Sequence, residues 1–164
     1  MTHYAQIAVI AGTVNAVEAL DTVADVTGEK NLTIESDVIY PYYAYQSTCL
    51  VKTLVGQKEL SLVCLVDAVN GLGVTADKYE VQKETCVPEK LLDVSIDDVT
   101  ATGVARQTVI HRLGKQLKTI ARFDVNCELK GIIYKRFWIV RAGESRFLVD
   151  SATAGWYPLQ MRAA

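Results

Sequence analysis

The chain has 164 residues, half of them hydrophobic, and a formal net charge of −2. This length can bury a sizeable core, and the slightly acidic balance argues against a strongly basic nucleic-acid-binding domain. The apolar run at residues 4–11 is too short to span a bilayer and follows no basic segment, which predicts a cytoplasmic protein without a membrane span.

Charge is distributed unevenly along the chain. Residues 1–94 contain 6 lysines, no arginine and 13 acidic residues, a net charge of −7, whereas residues 95–164 contain 11 basic and 6 acidic residues, a net charge of +5. We expect an acidic first half and a basic second half within one structural domain. The basic half could face an anionic partner, or the two halves could attract each other within one chain or between chains.

The cysteines give no metal-binding pattern. No C-x-x-C pair occurs among Cys49, Cys64, Cys86 and Cys127, so we expect neither zinc nor any other metal or cofactor.

In the first half, residues 13–26 have apolar residues at helical spacing, with Thr13 as the N-cap and an end near Gly28. A β-rich segment with a dense run of tyrosines follows. The tyrosine run is interpreted either as a contact patch for a protein partner or as a half-buried edge strand. It comprises Tyr40, Tyr42, Tyr43 and Tyr45.

The next two apolar runs predict a hairpin that turns at Gly56 and Gln57 and places Cys49 opposite Cys64. We expect these two thiols to be free rather than bonded, because cytoplasmic cysteines are usually reduced. One face of the hairpin is almost wholly apolar and is predicted to be core. Its members are Cys49, Val51, Leu60, Leu62, Cys64 and Val66.

In the second half, Ser95 and Asp98 resemble a capping box that begins a helix running to about residue 121. The predicted buried stripe is Val99, Val109, Ile110, Leu113, Leu117 and Ile120. The other side of the helix carries cations three and four positions apart, which we call the basic ridge: His111, Arg112, Lys115, Lys118 and Arg122. The ridge is interpreted as an anion- or partner-binding surface, or simply as a solvated helix face.

A second hairpin is predicted near the end of the chain, with its turn within residues 142–145. Val140 should then face Phe147, and Trp138 should face Val149.

Two similar stretches, residues 64–71 and 147–154, each end an apolar run in an aspartate. They predict a duplication and an α+β fold of two α-β-β-β halves, 1–94 and 95–164, packed as one unit. Asp67, Asn70, Gly71 and Asp150 are interpreted as structural turn residues, and paired catalytic carboxylates at Asp67 and Asp150 are the alternative.

The order of a helix and three antiparallel strands, ending in Val66, Asp67, Asn70 and Gly71 and again in Val149, Asp150 and Thr153, resembles the PepSY module. The resemblance implies the topology of that family. PepSY-like modules are associated with the cell envelope and with inhibition or chaperoning of peptidases, and no activity is carried over from them here.

No Gly-rich phosphate loop, nucleophile elbow or metal-spaced histidine pair occurs. The sequence therefore predicts a non-enzymatic protein-interaction or structural module, self-assembling through its oppositely charged halves. The alternatives are nucleic-acid binding by the basic ridge and small-molecule binding between the halves.

Overall fold

The computed structural model describes residues 4–76, 79–117 and 122–159; for Arg122 and Phe123 it describes the backbone alone. Strands hold 54% of the described residues and helices 23%. The protein is therefore mostly β, and the predicted α+β class is wrong.

The described residues form eight strands, two α-helices and a short 3-10 turn at Pro88–Lys90. In chain order the elements are β1 (Ala5–Ile10), α1 (Ala16–Thr27), β2 (Leu32–Thr53), β3 (Gly56–Asp67), β4 (Gly73–Ala76), β5 (Val81–Cys86), α2 (Asp98–Gln116), β6 (Arg122–Ala142), β7 (Ser145–Asp150) and β8 (Trp156–Leu159).

The strands belong to one mixed sheet, in the order β4-β3-β2-β6-β1-β5, with β7 paired to β6 and β8 paired to β7. Strand β1 is antiparallel to β5 and parallel to β6. This order overturns the prediction of an internal repeat of two α-β-β-β halves. The sequence similarity correctly indicated two similar turns, but the predicted repeat did not include the antiparallel pairing of β1 with β5.

Backbone contacts divide the chain into two interleaved units. Unit 1 contains the chain up to Tyr40, residues 80–92 and the chain from Tyr134, and unit 2 contains residues 41–79 and 93–133. The division cuts across the expected boundary between residues 94 and 95.

Unit 1 has a small aliphatic core between α1 and the β6–β7 hairpin. Ala19 and Val23 of α1 pack with Val140, Ala142 and Val149. Asn15, not the predicted Thr13, caps the helix, because its side-chain oxygen accepts a hydrogen bond from the backbone N–H of Glu18 at 2.9 Å. The helix ends at Gly28, as predicted, in the left-handed conformation that glycine adopts without strain.

The core of unit 2 lies between α2 and the β2–β3 hairpin. The buried positions of α2 are Ala101, Ala105, Val109 and Leu113. Val99, predicted to be buried, is 78% exposed. At the N-terminal end of α2 the residues that face the sheet are Ala101 and Ala105. The prediction counted only large apolar residues and therefore chose the wrong face of the helix there. Its N-cap is Asp97, not Ser95.

The two hairpins test the predicted registers. In the second, Val140 pairs with Phe147 and Trp138 with Val149, as predicted. In the first, the two turn residues are Leu54 and Val55, so Cys49 pairs with Leu60 rather than with Cys64. Of the six residues of the predicted core face, Cys49, Val51, Cys64 and Val66 are nevertheless buried, and Leu60 and Leu62 are half-buried.

Neither helix in the described part of the chain is long and apolar enough to cross a membrane.

Candidate functional site

The basic ridge lies on α2 and faces solvent where the structure describes it. His111, Arg112 and Lys115 are exposed, and none of them forms an ion pair with another described residue. Lys118 lies outside the described residues. The backbone of Arg122 begins β6, so the prediction that Arg122 lies on the helix is wrong, and its side chain is not described. The described ridge is thus a solvated cationic surface without an acidic cover from the described chain.

The tyrosine run does not form one surface. Tyr43 and Tyr45 are buried in unit 2 at 6% and 1% exposure, whereas Tyr40 and Tyr42 are half-buried. The Tyr43 hydroxyl donates to the backbone oxygen of Ile96 at 2.7 Å, and the Tyr45 hydroxyl lies 3.0 Å from the hydroxyl of Thr102. Burial raises the pKa of both phenols. These two side chains therefore hold α2 on the sheet.

The two aspartate turns have the same hydrogen bonds. The Asp67 carboxylate accepts from the backbone N–H groups of Val69 and Asn70, at 2.8 and 2.9 Å. The Asp150 carboxylate accepts from Ala152 and Thr153, at 2.8 and 3.3 Å. The residues four positions on, Gly71 and Ala154, both have positive φ, 74° and 62°.

The turn of the β2–β3 hairpin exposes two aliphatic side chains, which we call the apolar tip: Leu54 and Val55. Their exposures are 108% and 98%. Thr53 holds this turn, since its hydroxyl donates to the backbone oxygen of Gly56 at 3.0 Å and accepts from the N–H of Val55 at 3.3 Å. Lys52 and Lys58 flank the tip in exposed positions.

Unit 1 contains a cluster of ion pairs that sequence reasoning missed, centred on Arg136. Its guanidinium donates to Asp37 at 3.0 Å and to Glu84 at 2.7 Å, and Lys90 donates to Asp37 at 2.8 Å. Burial opposes ionisation of Asp37, but the hydrogen bonds and charges of Lys90 and Arg136 outweigh it and lower the pKa of this carboxyl. Burial likewise opposes the charge of Arg136, and Glu84 and Asp37 outweigh it and raise the pKa of the guanidinium.

The sequence contains one weak indication of this cluster, namely that its charged residues lie inside segments with the pattern of β-strands. The partners are far apart in sequence, and no local spacing pairs them. Only the sheet places them together.

Beside Arg136 lies an open pocket of about 350 Å³ at the N-terminal end of α1, which we call the α1 pocket. Ser151 lines it, and the side-chain oxygen of Ser151 is buried without a hydrogen-bond partner among the described residues. An unsatisfied buried hydroxyl costs about 1–3 kcal/mol.

The cysteines are all free thiols, as expected for Cys49 and Cys64. Burial raises the pKa of Cys64 to about 12, so this thiol is not a nucleophile at neutral pH. Within the described ranges, no three histidine, cysteine or acidic side chains lie close enough together to hold a metal ion.

Comparison with protein-family models, curated proteins and solved structures finds no match for this chain. The PepSY resemblance therefore stays a prediction.

Proposed function

We propose that this chain is a non-enzymatic protein-interaction module that docks a partner protein through the apolar tip. The observation that carries the proposal is the complete exposure of Leu54 and Val55 at the end of a regular hairpin.

The residue types at this turn support a functional origin. Neither Leu54 nor Val55 has a positive φ, so their backbone does not require Gly or Asn, but the residues that dominate turns are Gly, Pro, Asn, Asp and Ser. This chain has two aliphatic residues there and leaves both in water. Positions that break a local rule without a structural gain are the ones at which function is expected.

Burial of the tip would supply part of the free energy of docking. Full burial of one Leu or Val side chain is worth about 1.5–3 kcal/mol, so the pair can supply about 3–6 kcal/mol to an interface. The hydrogen bonds of Thr53 fix the turn in advance, which lowers the entropy cost of binding. Lys52 and Lys58 favour a partner with an acidic rim around an apolar pocket.

The test replaces Leu54 and Val55 by Asn and Gly. This variant should still fold, because both replaced side chains are fully exposed and the added glycine costs only about 0.5–1 kcal/mol, and it should lose the partner. A photo-cross-linking residue at position 55 identifies the partner by mass spectrometry, and the matched control is Arg112→Ala with Lys115→Ala, which leaves the tip intact.

Three outcomes separate the occupants. Cross-links to one other protein, lost in the Asn-Gly variant alone, support the proposal. Cross-links within a dimer, with sedimentation that depends on concentration, identify a second copy of this chain as the protein partner. Binding to lipid vesicles without a protein cross-link would overturn the proposal.

A second candidate function is binding of an anionic partner such as nucleic acid by the basic ridge. The observation that favours it is that His111, Arg112 and Lys115 are exposed and have no acidic partner among the described residues. Retardation of DNA or RNA at low salt that weakens steeply with added salt, and is lost in the Arg112→Ala, Lys115→Ala variant, would support it. No retardation at low salt would end it.

We further propose a cytoplasmic location, because the four free cysteines are compatible with a reducing compartment.

A further inference from the structure

The α1 pocket lies wholly within unit 1 and is mainly polar. Its polar lining includes Asn15, Glu18, Gln82, Glu84, Arg136 and Ser151. At about 350 Å³, it falls at the lower end of the volumes typical of small-molecule sites.

Ser151 gives the first sign that the pocket receives a ligand. Its backbone is fully engaged: its N–H donates to Arg136 and its carbonyl accepts from Val14, at 3.1 and 2.8 Å. Its side-chain oxygen has no partner, although the residue is only 3% exposed. Buried polar groups in native proteins are nearly always bonded to protein, water or ligand.

The turn itself does not require this hydroxyl. In unit 2 the corresponding position after Asp67 is Ala68, which is fully buried. Its backbone is bonded in the same way, donating to Pro41 and accepting from Ser95, at 3.1 and 2.8 Å. The same backbone hydrogen bonds therefore form with alanine at this position, so the turn does not need the Ser151 hydroxyl.

Gly12 packs closely on Ser151. A Cβ atom at Gly12 would lie 3.0 Å from the Ser151 side-chain oxygen and 3.1 Å from its Cβ and its backbone oxygen, and the φ of Gly12 lies outside the left-handed region that requires glycine. Glycine is thus needed here for space, not for backbone conformation.

The charges of the lining argue against an anionic ligand. Arg136 is already paired with Glu84 and Asp37, and Glu18 adds a further negative charge without an ion-pair partner in the described part of the chain. The N-terminus of α1 favours anions in general, but these carboxylates oppose a phosphate or carboxylate ligand.

The remaining groups both donate and accept hydrogen bonds. The side-chain amides of Asn15 and Gln82 offer N–H donors, Glu18 and Glu84 offer acceptors, and Ser151 can do both. Trp138 also lines the pocket. Its indole N–H donates to the Val14 backbone oxygen at 3.0 Å, so the ring can offer only apolar surface to a ligand. Hydroxyl groups on a small carbon frame match this mixture.

We propose that the α1 pocket binds a small, neutral, polyhydroxylated molecule, of the size of a monosaccharide or cyclic polyol, and that the Ser151 hydroxyl, which lies buried in the pocket wall, turns to contact it. The proposal is independent of docking through the apolar tip, since every residue that carries it belongs to unit 1.

The test titrates the full chain with neutral hexoses, neutral pentoses and myo-inositol, and with inorganic phosphate and butylammonium as charged comparators. Backbone resonances of Gly12 and Ser151 and the indole N–H resonance of Trp138 report binding. At least one neutral probe should shift these resonances saturably, and neither charged comparator should do so more strongly.

Variants locate the site. Ser151→Ala should fold, since Ala68 occupies the matching turn position, and should weaken binding roughly three- to tenfold. The matched control is Ser145→Ala at the exposed start of β7 in the same unit, which should bind as the wild type does.

Three results would overturn the proposal. The first is no saturable shift with any neutral probe. The second is stronger binding of phosphate or butylammonium. The third is a Ser151→Ala variant that binds as tightly as the Ser145→Ala control.

Discussion

Units 1 and 2 share a local hydrogen-bond frame and differ in what surrounds it. Each has a turn in which an aspartate accepts from two backbone N–H groups. In each, a ring side chain donates to the carbonyl just before a helix N-cap: Trp138 to Val14 in unit 1 and Tyr43 to Ile96 in unit 2.

The surroundings of this frame are opposite in character. Unit 1 places the Arg136 ion pairs and an open polar pocket beside it, whereas unit 2 packs tyrosine, cysteine and alanine against one another. The same type of turn and the same anchoring hydrogen bond therefore occur in a charged environment in unit 1 and in an apolar one in unit 2. Similar turn sequences therefore do not establish similar modules.

The largest effect is expected where unit 1 depends on charge. Arg136→Met should lower the free energy of unfolding by about 2–4 kcal/mol, because Glu84 would lose Arg136 while partly buried and Asp37 would keep only Lys90. Urea denaturation followed by circular dichroism measures it. Arg141→Met, an exposed position on the same strand, should cost less than about 0.5 kcal/mol. Equal losses in the two variants would contradict the role given to the ion pairs.

The two aspartate turns should differ next. Asp150 is 4% exposed and pairs with Lys135 at 3.1 Å, whereas Asp67 is only half-buried. We expect Asp150→Ala to cost about 2–3 kcal/mol and Asp67→Ala about 1–2 kcal/mol, because water can replace an acceptor at the more exposed turn. Thermal unfolding of both variants makes the comparison, and a larger loss at Asp67 would reverse it.

The anchoring hydrogen bond of unit 2 should have a smaller effect. Tyr43→Phe keeps the ring and removes the bond to the Ile96 backbone oxygen, so a loss of about 1 kcal/mol is expected. Tyr157→Phe, at a residue 54% exposed, is the control and should be near neutral. Hydrogen exchange should show faster opening at the start of α2 in the first variant alone; unchanged exchange there would refute the anchoring role.

Acid should produce the smallest difference, and in unit 1 it should act through Asp37. The folded pKa of Asp37 lies below its unfolded value of about 3.9, so as the pH falls the unfolded state binds the proton first. The stabilisation from ionised Asp37 is complete above about pH 4–5 and is lost as the pH falls through the folded pKa. Unfolding free energies from about pH 2 to 5 should therefore fall less steeply in Asp37→Asn than in wild type. Asp25→Asn, at an exposed position, should keep the wild-type slope, and identical slopes for all three proteins would remove Asp37 from the account.

Local patterns predicted the hairpins better than the fold. The second register is correct because Gly143, with a φ of 63°, marks its turn. The predicted first turn, at Gly56 and Gln57 where the two apolar runs join, is wrong, because the aliphatic pair Leu54 and Val55 forms the turn. The burial face was still right, since the register error is an even number of residues and side chains alternate between faces.

The candidate sites were less predictable for a physical reason. The basic ridge follows from spacing on one helix, and its described members are exposed. By contrast, Asp37, Glu84 and Arg136 come together only through strand pairing across the sheet, and one sequence contains no record of such pairs. The unpaired Ser151 hydroxyl could not be predicted either, because a sequence does not show which buried polar atoms lack a hydrogen-bond partner.

The burial of Cys64 makes its thiol a probe for the detachment of α2 from the sheet. Its thiol is completely buried under α2, close to the Ala105 carbonyl, and its pKa of about 12 keeps it protonated. An alkylating reagent can modify it only when α2 leaves β3. With the other three cysteines replaced, the modification rate would report how often this helix detaches, without any introduced label.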